Sequence, residues 1–268
     1  MKIFRSLLLF LSMVVVSSMV LLNCKSKSSG ESSDKTGAKT TTETIGPNQL
    51  TQAEIDEGWM LLFDGETTKG WRGYGLDAFP DSGWTIEDGT LKCLHSGTGE
   101  AGAGGDVLYD KMVKNFHLKL DWMIEEGGNS GIFFLGQELE GKKIWYTAPE
   151  YQILDNFSTH IDNTLGVDGN RRAGSLYDLI PPVPQNAKGA MEWNSSEIIV
   201  YEGTVVFKMN GENTMEFHLW TDEWNEIIAN SKFPDFNPDF AKVYKEGLIC
   251  LQDHGHATWF RNIKLREL

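Results

Sequence analysis

Hydrophobic and polar residues alternate with a period of two over much of the chain. The clearest example is Phe116–Trp122, where every second residue is apolar, a pattern that predicts a strand with one buried face. Asp88 and Gly89 lie between two further alternating segments, Trp84–Glu87 and Thr90–Leu94, and predict a hairpin turn. The dominant predicted element is therefore the short β-strand.

The remaining predicted elements point to the same class of fold. Thr51 and Glu54 form a capping box that predicts a short helix ending near Gly58, and Asp222–Asn230 has a helical pattern. Further strands are predicted at Gly131–Leu135, Tyr151–Leu154, around Gly174–Leu179, Ile198–Tyr201, Thr204–Met209, Met215–His218, Leu248–Gln252 and Thr258–Leu265. Many short strands without βαβ alternation favour an all-β sandwich or barrel over a parallel sheet.

The N-terminus has the pattern of an export signal. Lys2 and Arg5 precede an apolar run, Leu7–Leu22, which is short for a membrane span. The run ends in Leu-Leu-Asn-Cys, which resembles a bacterial lipobox with Cys24 as the lipidated residue, although Asn23 departs from the usual small residue. We therefore expect a signal peptide at 1–23 and an exported lipoprotein, anchored to a membrane in the periplasm or on the cell surface.

Composition separates a tether from a globular domain. Residues 24–50 are rich in Ser, Thr, Lys and Gly, so they lack the apolar surface needed to offset the entropy of ordering. Residues 51–268 are long enough for one large domain with a substantial core.

The net charge of −14 disfavours binding to nucleic acid. Cys93 and Cys250 are either two buried thiols or a disulfide. The glycine-rich loop Gly97–Gly105 lacks a phosphate-loop Lys-Ser/Thr, so no nucleotide cofactor is expected.

The segment around Glu150 carries the first candidate chemistry. In an extended strand Glu150 and Gln152 share one face, and Tyr151 and Ile153 share the other. Two polar side chains on a sheet of apolar strands are costly unless their face is wet. The pattern therefore predicts a groove on that face, with a solvated edge strand as the alternative. Asp155 joins the groove only if the strand ends or bulges before it.

A second polar cluster follows the apolar segment Leu248–Leu251. Gln252 and His254 share a face, and His254 is a candidate general base or metal ligand, or else a hydrogen-bonded turn histidine. Other candidates for the same groove are Asn129, Ser130, Arg171, Arg172, Tyr177 and Asp253. Trp145, in a polar loop, is the tryptophan that we expect at a binding rim.

Several short motifs together resemble a known family. They are Leu62-Phe63-Asp64-Gly65 with Gly70-Trp71, Asn129-Ser130-Gly131, Glu150 to Asp155, Ala173 to Asp178, Glu192-Trp193-Asn194, Asn210-Gly211, Gln252 to Gly255 and Phe260 to Ile263. Their order over residues 55–268 is similar to that of the 3-keto-disaccharide hydrolases. The resemblance implies a concanavalin A-like jelly-roll β-sandwich of two antiparallel sheets with few short helices, and a concave sheet that holds the ligand.

The resemblance also implies a reaction. Its substrates are glycosides that a separate sugar 3-oxidoreductase has already oxidised at C3. The ketone acidifies the C2–H, a base removes this proton, the C1 substituent leaves by elimination, and water adds back to complete a net hydrolysis. A divalent metal ion held by carboxylate and imidazole would stabilise the enediolate.

By position, the resemblance assigns the reacting centre to Glu150 and His254, as metal ligands or as the base, with Asp155 as a second carboxylate. The expected substrate-binding residues are Asn129, Ser130, Trp145, Gln152, Arg172, Tyr177, Gln252 and Asp253. Two alternatives stay open. One is a conventional glycosidase with two carboxylates, which Gln152 disfavours because it stands where such enzymes carry an acid. The other is a non-catalytic, surface-anchored carbohydrate-binding protein.

Overall fold

The structure is a computed structural model that describes residues 45–97, 102–159 and 165–268. The described residues all belong to one compact unit. The predicted signal peptide, the lipidation site Cys24 and most of the predicted tether lie outside the described residues. Among those that are described, no helix has the length and apolar character needed to cross a membrane.

Strands account for most of the regular structure. They are β1 (Met60–Leu61), β2 (Trp71–Gly73), β3 (Trp84–Glu87), β4 (Thr90–Cys93), β5 (Val107–Val113), β6 (Phe116–Ile124), β7 (Asn129–Gly136), β8 (Glu150–Leu154), β9 (Asn194–Tyr201), β10 (Thr204–Met209), β11 (Glu212–His218), β12 (Gly247–Leu251) and β13 (Thr258–Glu267). Two α-helices are described, α1 (Gln52–Asp56) and α2 (Asp222–Ala229). Short 3₁₀ turns occur at Ile144–Tyr146, Val167–Gly169 and Phe233–Asp235.

The strands form two antiparallel sheets. The larger sheet has the order β11-β10-β9-β6-β13-β4-β3, with β1 paired to β13, and the smaller has the order β2-β5-β12-β7-β8. Large side chains from both sheets fill the space between them, among them Trp122, Phe134, Tyr151 and Phe207. This arrangement confirms the predicted concanavalin A-like jelly-roll sandwich of two antiparallel sheets.

One buried hydrogen-bonded group joins the two sheets. The hydroxyl of Ser196 accepts from the Trp122 indole N–H at 2.8 Å and donates to the Tyr151 hydroxyl at 2.8 Å. Tyr151 in turn donates to the Lys208 carbonyl oxygen at 3.1 Å. Burial raises the pKa of the Tyr151 phenol, so it stays a neutral donor. The group fixes β8 against the larger sheet and therefore fixes the face that Glu150 presents.

Local sequence signals explain most of the element boundaries. The predicted capping box is present, with Thr51 and Glu54 each bonded to the backbone of the other. Asp88 and Gly89 both have positive φ and connect β3 to β4, as the hairpin signal predicted. The segment Phe116–Trp122 lies within β6 and alternates between buried and partly buried residues.

One predicted strand was wrong, and β1, β2 and β5 were not predicted. The segment around Gly174–Leu179 is not a regular strand, and only single bridges join Leu176 to Tyr151 and to Ile180. Gly174 and Asp178 have φ of 82° and 60°, which an extended strand does not allow. β5 was not predicted, because Asp110 and Lys111 interrupt the apolar pattern of this strand. The structure also decides the question of the cysteines, since Cys93 and Cys250 are both buried free thiols.

Candidate active site

A cavity of about 230 Å³ lies against the smaller sheet, on the face turned away from the larger one. Four parts of the chain line it: strand ends of the sheet, the turn before β8, the segment between β8 and β9, and the connection between β11 and β12. The lining residues are Asn129, Trp145, Ala148, Pro149, Glu150, Gln152, Leu176, Tyr177, Leu179, Lys232, Phe233, Phe236, Phe240, Gln252 and His254. Seven of the predicted site residues thus meet here: Asn129, Trp145, Glu150, Gln152, Tyr177, Gln252 and His254.

The pleat of β8 places the polar pair in the cavity. Tyr151 and Ile153 belong to the core between the sheets, so Glu150 and Gln152 point to the opposite face. Glu150 is only 8% exposed. Its carboxyl group lies over Gly131 of the neighbouring β7, where an added Cβ would come within 2.2 Å of Oε1. The absence of a side chain at Gly131 therefore provides the space that the Glu150 carboxyl group occupies.

Two side-chain amides connect Glu150 to His254. The side-chain amide of Asn129 lies 3.2 Å from the Nε2 of His254, and the amides of Asn129 and Gln152 lie 3.2 Å apart. With its nitrogen turned toward Glu150, Gln152 lies 3.0 Å from Oε1 and donates to the carboxylate. Asn129 turns with it, so that the Asn129 Nδ2 donates to the Gln152 oxygen and the Asn129 Oδ1 faces His254. An ionised carboxylate accepts but does not donate, which favours this orientation of the amide. The imidazole and the carboxylate thus belong to one hydrogen-bonded group.

Gln252 contributes an unsatisfied acceptor to the same side of the cavity. Its backbone N–H donates to the Gly131 carbonyl oxygen at 2.9 Å, and its own carbonyl accepts from the Ser130 hydroxyl at 2.8 Å. The side-chain Oε1 is buried and has no hydrogen-bond partner among the described residues. Such an atom is costly unless a ligand donates to it, so it fits a ligand hydroxyl. Ser130 does not line the cavity and supports Gln252 from behind.

Four other predicted residues lie outside the cavity lining. Asp155 follows the end of β8, and its carboxylate accepts from the backbone of Gly127 and Phe157. Asp253 has the opposite side-chain direction to Gln252, and it is fully buried. Its oxygens accept from the backbone of Gly104 and Gly255, each at 2.9 Å. Both carboxylates therefore hold turns. Arg172 and Arg171 also lie outside the lining, and Arg171 is paired with Asp178.

Sequence reasoning missed the contribution of residues 219–246, which we name the β11–β12 connection. It places Lys232, Phe233, Phe236 and Phe240 in the cavity wall. The only sequence signal for this wall was a repeat of Pro-Asp-Phe in the segment Phe-Pro-Asp-Phe-Asn-Pro-Asp-Phe, residues 233–240. That spacing does not show which surface the rings contact.

Lys232 and Tyr177 lie next to each other at the cavity. The Lys232 ammonium donates to the Tyr177 hydroxyl at 3.1 Å and lies 3.3 Å from the Asp178 carboxylate. The Tyr177 backbone N–H donates to the Glu150 carbonyl oxygen at 3.0 Å, which ties this pair to β8. The cavity therefore holds one ammonium group and one phenol that can donate hydrogen bonds to a ligand oxygen.

The donor set only partly fits the expected divalent metal ion. Glu150 and His254 offer one carboxylate and one imidazole, but no group of three or more His, Cys, Asp or Glu suited to a metal occurs among the described residues. Catalytic zinc sites usually keep three protein ligands, so this pair falls short of such a site. A cation held here would need amide, substrate or water oxygens for its other positions. The metal ion stays a prediction.

The protein is thus a jelly-roll sandwich with a small cavity on one sheet, polar on one side and aromatic on the other. A family model described as the 3-keto-alpha-glucoside-1,2-lyase-like domain matches residues 58–266. The chain belongs to this family of glycoside-cleaving enzymes, as the motif resemblance predicted.

Related proteins agree with this assignment. The chain is 43% identical to a 3-keto-disaccharide hydrolase of Bacteroides thetaiotaomicron, over 93% of this chain and 94% of that protein. A crystal structure of a "putative glycosyl hydrolase" from Parabacteroides distasonis matches with a TM-score of 0.72 and 29% identity, over 83% of this chain and 100% of the other. A second such structure from the same organism has a TM-score of 0.59 and 23% identity, covers 78% and 99%, and shows the shared fold.

Proposed function

We propose that this protein cleaves 3-keto-glycosides, including 3-keto-disaccharides, by deprotonation at C2, elimination at C1 and rehydration. The observation that carries the proposal is the hydrogen-bonded group of Glu150, Gln152, Asn129 and His254 around one cavity. It combines a potential base with neutral amides suited to sugar hydroxyls. The family relationship and the 3-keto-disaccharide hydrolase relative support the choice of substrate.

His254 is the proposed base. Imidazole is the side chain whose ordinary pKa lies nearest neutrality, so it can take a proton from a carbon acidified by a ketone. Asn129 fixes the ring through its contact with Nε2. After the C2 proton is removed, the electron pair forms the C1–C2 double bond as the C1 oxygen leaves. Protonation of that oxygen releases the alcohol, and water then adds at C1 with a proton returning to C2.

Lys232 and Tyr177 are proposed to stabilise the negative charge that develops on the C3 oxygen. A preorganised donor aimed at a developing oxyanion contributes most in a site from which water is largely excluded. The Lys232 ammonium retains hydrogen-bonding capacity beyond its contacts with Tyr177 and Asp178, since an ammonium has three donors. Gln252 Oε1 would accept from a sugar hydroxyl.

A conventional glycosidase mechanism has less support. It needs two carboxyl groups that flank the scissile bond. Among the described residues that line the cavity, Glu150 supplies the one carboxylate. A non-catalytic binding protein would need the polar and aromatic sides of the cavity but not a base.

An assay of three substrates tests the proposal. Purified protein is incubated in deuterated buffer with a 3-keto-glucoside, the matching unoxidised glucoside and 3-keto-trehalose, with and without a chelator. The proposal expects cleavage of both ketones, deuterium at C2 of the product, and no cleavage of the unoxidised sugar. Cleavage of the unoxidised glucoside would favour the two-carboxylate mechanism, and binding without cleavage would favour a binding protein. The chelator arm tests the predicted metal ion.

Cellular context forms a separate part of the proposal. Export and lipidation at Cys24 would hold the enzyme at a membrane, and a separate sugar 3-oxidoreductase would supply its substrate. Incorporation of a labelled fatty acid into the wild type but not into Cys24→Ser would support the anchor. Equal labelling of both proteins would contradict it.

A further inference from the structure

The aromatic side of the cavity has no role in the chemistry proposed above. Trp145 and Phe236 meet edge to face, with ring centroids 5.2 Å apart and an angle of 89°. Phe233 stacks on Phe240 at 4.1 Å and meets Phe236 at 71°. The four rings therefore form one contiguous cluster, which we name the aromatic corner.

The geometry of the aromatic corner favours an aromatic ring as its ligand. Phe236 is nearly perpendicular to Trp145 and steeply inclined to Phe233, so the cluster is angular rather than flat. A planar ring placed in such a corner can present its face to one side chain and its edge to another, which are the arrangements that aromatic rings prefer. Trp145 and Phe236 both remain partly exposed at the cavity, so apolar surface is available there.

Hydrogen bonding at the corner argues against a second sugar. Asn237 lies between Phe236 and Phe240, but its Nδ2 donates to the Tyr146 carbonyl oxygen at 2.7 Å. Its Oδ1 accepts from the Asp239 backbone at 3.0 Å. This amide is therefore occupied within the protein. Sugar hydroxyls buried against the rings would lose water without gaining partners, which is unfavourable.

The two sides of the cavity thus differ in chemistry. The side with Glu150, Gln152, Gln252 and His254 suits a hydroxylated ring, and the aromatic corner suits an apolar one. The cavity of about 230 Å³ lies below the range of roughly 300–1,000 Å³ typical of pockets for drug-sized ligands. This limits the ligand to about one sugar and one further small ring.

We propose that the aromatic corner is the leaving-group subsite and that it takes an aromatic aglycone. The inference rests on the proposed function and adds to it the class of leaving group. Aryl 3-keto-glucosides are then better substrates than 3-keto-disaccharides, because the aryl group gains apolar contact and the second sugar does not.

A double variant, Trp145→Ala with Phe236→Ala, tests the subsite. The measurement is kcat/KM for 3-keto phenyl α-glucoside and for 3-keto-trehalose, each relative to the wild type, so that intrinsic leaving-group ability cancels. We expect kcat/KM for 3-keto phenyl α-glucoside to fall about 30-fold more than kcat/KM for 3-keto-trehalose, consistent with the removal of two ring contacts to the phenyl group. The pair Trp145→Leu and Phe236→Leu retains apolar bulk and tests whether the aromatic character matters. Tyr201→Ala, at an exposed aromatic residue on β9, is the control and should change neither value.

A binding measurement separates failure of the subsite from failure of the proposed reaction. Unoxidised phenyl and methyl α-glucosides are titrated into the wild type and the double variant, with NMR as the readout. The subsite predicts that the wild type binds the phenyl glucoside about tenfold more tightly than the methyl glucoside, and that the double variant loses this preference. This result would stand even in a protein that cleaves neither ketone. Equal binding of the two glucosides by the wild type would overturn the inference. An equal fall in kcat/KM for both keto-substrates in the double variant would also overturn it.

Discussion

The side-chain amide of Asn129 lies 3.2 Å from the Nε2 of His254, and this contact joins two strand ends that are far apart in sequence. Asn129 begins β7, whereas His254 follows β12. Gln152 extends the contact to Glu150. The three strands β8, β7 and β12 are neighbours in the smaller sheet, so the sheet itself assembles the site.

Glu150 and His254 should both be essential for cleavage. We expect Glu150→Gln and His254→Ala each to lower kcat on a 3-keto-glucoside by at least about 10²-fold, the lower range for loss of acid–base catalysis. Both side chains face the cavity rather than the core between the sheets, so the melting temperature should change little. Steady-state kinetics measures kcat, and thermal unfolding followed by circular dichroism measures the melting temperature. Full activity in either variant would refute the assignment of that residue.

Gly131→Ala should impair activity without unfolding the protein. The added Cβ would lie 2.2 Å from Oε1 of Glu150, so the carboxyl group must move. Because the displaced atoms belong to the end of a side chain, we expect a loss of about tenfold or more in kcat with a modest loss of stability. Gly189→Ala is the matched control, since its nearest neighbours lie 3.7 Å away, and it should behave as the wild type. An unchanged kcat in Gly131→Ala would show that the position of Glu150 is not critical.

Lys232→Met should lower kcat more than it raises KM. The proposed contact of the ammonium with the C3 oxygen strengthens as charge develops, so its loss raises the barrier by about 2–4 kcal/mol, similar to removal of an oxyanion donor. Lys242→Met is the control from the same β11–β12 connection, because Lys242 is 77% exposed and does not line the cavity. If the two variants have the same kinetics, Lys232 does not stabilise the charge.

Glu138 should make stability depend on acidic pH. The bidentate hydrogen bond from Arg72 lowers the pKa of Glu138 below its ordinary value, against the opposing effect of burial. A lowered pKa in the folded state gives stabilisation that is present above about pH 4.5 and is lost as the pH falls through the folded pKa. Glu138→Gln should therefore cost about 1 kcal/mol at pH 7, with the difference from the wild type shrinking below pH 4. Urea unfolding of both proteins at pH 7 and below pH 4 measures the difference in free energy of unfolding. A difference that does not change with pH would contradict the prediction.

Local patterns in the sequence predicted part of the cavity lining. Strand periodicity was enough to place Glu150 and Gln152 on the face opposite Tyr151, and the cavity lies on that face. The same parity rule separates Gln252 from Asp253. The polar cluster gave Asp253 as a candidate substrate-binding residue, but its side chain turns inward and accepts hydrogen bonds from the backbone of Gly104 and Gly255.

The parts that sequence could not predict depend on contacts between distant segments. Phe236 reaches Trp145 because residues 219–246 pack beside the turn that precedes β8, and Lys232 reaches Tyr177 because they also pack beside the segment that follows β8. No local pattern specifies that packing. Cys250 was ambiguous for the same reason, since only the fold shows that it packs with Phe133 and Leu248, apart from Cys93 in the core between the sheets.

The most direct test of the central claim is the fate of the C2 hydrogen. A 3-keto-glucoside is treated with the wild-type protein in deuterated buffer, and the released sugar is examined by NMR and mass spectrometry. Elimination followed by rehydration predicts one solvent-derived deuterium at C2 in every product molecule. Direct hydrolysis predicts a product with no deuterium at C2. Release of the sugar with its original C2 hydrogen would contradict the account.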